Sequence, residues 1–122
     1  MTEPTREAPS EHQKFTVSGE LVELFMSFGM LNTLAVPIKS FDNLIEVDSE
    51  PDLRSFILHI CLDKRDAKGR VTEEFDVFSI SMSEAEAILS WVKEHLTDFF
   101  ITRLKSKLAI QKLASQTINA NL

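Results

Sequence analysis

The residues able to do chemistry beyond packing are three histidines, one cysteine and several clusters of carboxylates. Nucleophilic catalysis needs a Cys or Ser beside a His that a third group orients. Cys61 and His59 stand two apart, so on a helix they point to different faces. Cys61 sits in the apolar run Phe56-Ile57-Leu58-His59-Ile60-Cys61-Leu62, where a thiol reads as a small buried hydrophobe. A metal centre needs several ligands at workable spacing. His12, His59 and His95 are far apart, and His95 with Asp98 offers two groups better suited to a surface hydrogen bond. Asp63…Asp66…Gly69 glances at a calcium loop, but positions three and five would be Arg65 and Ala67. Turn chemistry explains these residues better. The reading is therefore non-enzymatic, with no catalytic residue, cofactor or metal assigned.

Charge is more informative. Lys and Arg total 13 and Asp and Glu 19, a net of −6. All 19 acids and 9 of the bases lie in residues 1–98, which makes that portion −10. Residues 99–122 hold Arg103, Lys105, Lys107 and Lys112 and no acid, which makes them +4. A net negative chain argues against nucleic acid as the main partner. The acids Asp42, Glu46, Asp48, Glu50 and Asp52 suit either a solvated helix N-terminus or a basic partner.

The elements that position these groups read as mostly helical. Only three Gly and four Pro favour long elements over many turns. Residues 1–13 are polar, carry Pro4 and Pro9, and are expected to form a disordered tail. Residues 14–122 form a single domain, since a chain of this size buries enough surface for one core. Phe15 and Val17 alternate with polar residues, which suggests a short strand. Ser18 then caps a helix carrying Leu21, Leu24, Phe25, Phe28, Leu31 and Leu34 at steps of three and four. A helical turn is expected near Ser40–Ile45. Ser49 caps a further helix with Pro51 in its first turn, burying Leu53, Phe56, Ile57, Ile60 and Cys61. A charged loop at 63–70 leads to an extended segment, Val71 to Ile80, placed to pair with residues 15–17. Ser83-Glu84-Ala85-Glu86 reads as a capping box opening the last helix. No Gly or Pro interrupts that helix through Leu113, so about 30 residues would span roughly 45 Å. That exceeds the diameter of a compact domain of this size, so the helix either bends near Thr97–Asp98 or protrudes. The fold class is thus mostly α, with at most a minor two-stranded β element; the alternative is α+β.

One cysteine excludes an internal disulfide framework and points to a cytoplasmic protein. No apolar run approaches ~18 residues, so no membrane span is expected. The N-terminus lacks the apolar core of a signal peptide. The stretch FFITRLKSKLAIQKLA makes residues 99–122 a basic amphipathic extension. Phe99, Phe100, Leu104 and Leu108 would give it apolar contact with a protein partner or a second copy, and Arg103 and Lys107 orientation.

Three segments, KFTVSGELVELF, DLRSFILHICLDKRDAKGRV and SMSEAEAILSWVKEHLTDFF, give the chain from Phe15 to Leu104 a layout that resembles the tail assembly chaperones of long-tailed bacteriophages. The resemblance implies a non-enzymatic protein that coats the long helical tape-measure protein in the host cytoplasm and keeps it soluble. It also implies absence from the finished particle. Two other classes fit the residues: a small acidic regulatory or inhibitory protein working through residues 42–52, and a structural subunit of a viral particle.

Overall fold

A computed structural model describes residues 8–120, with side chains through Gln116. The chain is mostly helical with a minor antiparallel β component. In order it forms β1 (His12–Val17), β2 (Glu20–Phe25), α1 (Phe28–Ile38), a 3₁₀ turn (Phe41–Ile45), α2 (Glu46–Ser49), α3 (Pro51–Leu62), β3 (Lys64–Arg65), β4 (Val71–Glu73), a second 3₁₀ turn (Val77–Ser79) and α4 (Met82–Ala120).

The first part of the segment read as a helix opening at Ser18 is instead a hairpin, and the helix carrying Phe28, Leu31 and Leu34 begins only at Phe28. β1 and β2 pair antiparallel, with Phe15 opposite Val22 and Val17 opposite Glu20. Ser18 (φ 52°) and Gly19 (φ 83°) make the two-residue turn, the left-handed pair that matches the natural strand twist. The helical spacing of Leu21, Leu24 and Phe25 coexists with a period of two at Val22, Leu24 and Met26. The second wins, because Leu24 and Met26 are buried while Leu21 and Phe25 are exposed.

Ser27 caps α1 by accepting the Met30 N–H at 3.1 Å. Leu34 and Ile38, one turn apart, are its buried residues. Pro51 at the start of α3 costs no hydrogen bond there. Its cap differs from expectation: Glu50 is the cap residue and its side chain makes no capping bond, while Ser49 Oγ donates to the Ile45 carbonyl. The buried face of α3 is Ile57, Leu58 and Cys61; Phe56 is 37% exposed. The charged loop becomes a second small hairpin: Lys64 pairs with Glu73 and Arg65 with Val71, so the segment after Val71 pairs there and not with residues 15–17.

The core forms around the first half of α4. Ile88, Val92, Leu96 and Phe100 recur every fourth residue, with Ala85, Leu89 and Trp91 beside them. They meet Phe15, Val17 and Leu24 of the hairpin, Leu34 and Ile38 of α1, Leu44, Val47, and Ile57, Leu58 and Cys61 of α3.

The expected tail boundary at residue 13 falls too late. His12 and Gln13 belong to β1, and the Glu11 carbonyl accepts the Met26 N–H at 2.8 Å. The Ser10 carbonyl accepts from Trp91 Nε1 and from His95 Nε2, both at 2.9 Å. Residues 1–7 lie outside the described residues.

Candidate functional site

α4 is not interrupted at Thr97–Asp98; it continues as one helix through Ala120. Its surroundings change there instead. Up to Ile101 each turn has residues in the body, whereas every residue from Thr102 to Gln116 is exposed.

The six residues singled out at the end of the chain divide accordingly. Phe100 is only 9% exposed and belongs to the core. Phe99 is half-buried, packs edge-on against Phe100 and carries Arg103 over its ring, 4.1 Å from the centroid. Such a stack holds the guanidinium against the helix by cation–π attraction. Leu104 and Leu108 are 50% and 55% exposed, and Lys107 is exposed. So Phe100 anchors the helix, Phe99 and Arg103 form its collar, and Leu104, Lys107 and Leu108 project beyond the body.

At 100° per residue, Ile101, Leu104 and Leu108 fall within an arc of about 60°. Arg103 and Lys107 flank that ridge on one side, Lys105 and Lys112 on the other. No acid occurs beyond Asp98 to neutralise them.

The acidic segment separates in a similar way. Asp48 pairs with Lys93 at 2.5 Å. Arg54 pairs with Glu86 and donates to the Val47 carbonyl at 2.9 Å. Glu46, Glu50 and Asp52 have no ion-pair partner among the described residues, and with Pro37, Leu53 and Phe56 they line an open groove of about 480 Å³.

The remaining polar groups are spent on structure. Desolvation raises the Asp63 carboxyl, but the Phe75 N–H at 2.7 Å and His59 Nδ1 at 2.9 Å outweigh it, and the net shift is downward. The Arg70 N–H, ahead of that of Lys68, lowers Asp66. Thus, of the two aspartates that glance at a calcium loop, Asp66 is a turn acceptor and Asp63 ties the end of α3 to Phe75. Burial pushes the Cys61 thiol up to about 12, which leaves it protonated and inert at neutral pH. His95 is buried and bonds the Ser10 carbonyl rather than Asp98 at the surface. Among the described residues no group of three or more His, Cys, Asp or Glu is placed to hold a metal ion, and no helix is long and apolar enough to cross a membrane.

Sequence reasoning missed Phe78 and Met82, 96% and 74% exposed. It also placed Phe56 in the core, when it is exposed and borders the groove; Leu53 packs against the core as expected and borders the groove as well. A large apolar residue carries no local mark of which side will be covered.

Against known proteins, the chain matches no family model, no curated protein and no solved structure.

Proposed function

We propose that this chain is a non-enzymatic assembly chaperone or adaptor that holds a helical protein partner through the exposed end of α4. The observation that carries the proposal is the unbroken run of exposed helix from Thr102 to Gln116, bearing Leu104 and Leu108 between two rows of cations. A helix seldom extends about four turns past its own core unless another surface covers it, since tertiary packing supplies most helical stability. Apolar contact supplies affinity, roughly 1.5–3 kcal/mol for each fully buried large side chain. The cations supply approach and register. The resemblance to phage tail assembly chaperones makes a long tape-measure protein the specific partner and the host cytoplasm the place of action.

Co-expression with a long, aggregation-prone helical tape-measure chain tests this. The wild type keeps the partner soluble and co-purifies with it. Leu104→Ala with Leu108→Ala abolishes co-purification, and Arg103→Ala with Lys107→Ala weakens it less. Equal recovery by the wild type and the leucine variant refutes the proposal.

A second reading, an acidic inhibitor of a basic protein, draws on Glu46, Glu50 and Asp52, which lack cation partners among the described residues. It requires those carboxylates, whereas partner binding through α4 does not.

A further inference from the structure

We infer that the basic end of α4 docks head to tail into the acidic groove between α1, α2 and α3 of a second copy of this chain. The inference rests on reading the end of α4 as a docking helix and adds the surface that receives it.

The two surfaces are complementary in layout as well as in sign. The docking helix presents an apolar ridge, Leu104 and Leu108, with cations along both flanks. The groove presents apolar Pro37, Leu53 and Phe56 together with the carboxylates of Glu46, Glu50 and Asp52. The neighbouring Asp48 and Glu86 are paired, with Lys93 and Arg54, whereas the three groove carboxylates keep their charge without a cation partner among the described residues.

The helix cannot serve its own groove. No Gly or Pro lies between Met82 and Ala120, and α4 leaves the body as one continuous helix. Folding the segment back would break hydrogen bonds along the helix, whereas a second copy is reached without any rearrangement. Because ridge and groove are different patches, the contact is heterologous and joins copies in series. It also covers Leu104 and Leu108 whenever the partner is absent.

The test is sedimentation velocity of the full chain across a concentration series, at low and at 0.5 M salt. Circular dichroism checks that each variant is folded; the altered side chains in both variants are solvent-accessible. The wild type self-associates, and salt weakens the association. Glu46→Lys with Glu50→Lys, or Lys105→Glu with Lys107→Glu, each raises the dissociation constant at least tenfold. An equimolar mixture of the two variants regains association, because each supplies the charge that the other now needs. A wild type that stays monomeric, or a mixture that stays dissociated, overturns the inference. So does a groove variant that associates as the wild type does. In that last case, loss of association in Leu104→Ala with Leu108→Ala keeps α4 as the docking helix and discards only the groove. If the leucine changes alter neither self-association nor partner recovery, the docking helix itself is refuted.

Discussion

The carboxylate of Glu84, in the first turn of α4, accepts the backbone N–H of Ser18 at 3.2 Å, across 66 residues of sequence. It also accepts the N–H groups of Gly19 at 3.3 Å and Ser81 at 3.0 Å. One side chain thus closes the β1–β2 turn onto the start of α4. In return, Ser81 Oγ accepts the Glu84 N–H at 3.2 Å, which completes a reciprocal cap. The Ser81 N–H, followed by that of Gly19, lowers the Glu84 pKa.

The cap is therefore Ser81 and not Ser83, which was expected from the sequence. Ser81→Ala is expected to cost about 1 kcal/mol. Ser83→Ala should stay within about 0.5 kcal/mol. Denaturant unfolding followed by Trp91 fluorescence gives both values, and a larger loss for Ser83→Ala would place the cap at Ser83.

Removing residues 2–13 should destabilise the fold. Trp91 Nε1 and His95 Nε2 would lose their shared acceptor, the Ser10 carbonyl. A buried donor left without its acceptor costs about 1–3 kcal/mol. The melting temperature should fall by more than about 5 °C. An unchanged melting curve would show that water replaces the strand without penalty.

Phe100 and Leu104 are four residues apart and should behave differently. Phe100→Ala opens a cavity in the core and is expected to cost about 3 kcal/mol. Leu104→Ala should leave stability within about 0.5 kcal/mol and act only on association. Urea midpoints of the two variants decide this; equal midpoints would mean that α4 beyond Phe100 is held by the body after all.

Acid should expose the contribution of Asp63. Its folded pKa lies below the unfolded value of about 3.9. Its stabilising effect is therefore complete above the unfolded value and is lost as pH falls through the folded one. Glu84 and Asp66 shift in the same direction. The stability difference between wild type and Asp63→Asn should stay constant above about pH 5 and narrow below about pH 4. A difference independent of pH would mean that the Phe75 N–H and His59 do not favour the carboxylate.

What the sequence determined by itself is whatever depends on neighbours along the chain. The mostly helical class, the start of α3 at Pro51, the turn before Ile45, the absence of a helix breaker in α4 through Leu113 and the change of charge after Asp98 all follow from local residue types and spacing. Tertiary structure decided the remainder. Ser81-x-x-Glu84 and Ser83-x-x-Glu86 are equivalent capping boxes on local grounds. The choice was made at a distance, by Arg54 pairing with Glu86 and the hairpin turn binding Glu84. The segment Glu20–Phe25 carries apolar residues at both helical and strand periods, and it became a strand because the hairpin packs Phe15 edge-on against Trp91, 5.3 Å between ring centroids. The Ser10 carbonyl has no side-chain signature, so its two buried donors could not be foreseen. Likewise, Phe100 inside and Leu104 outside lie on one continuous pattern, and only the place where the body ends separates the anchor from the exposed ridge.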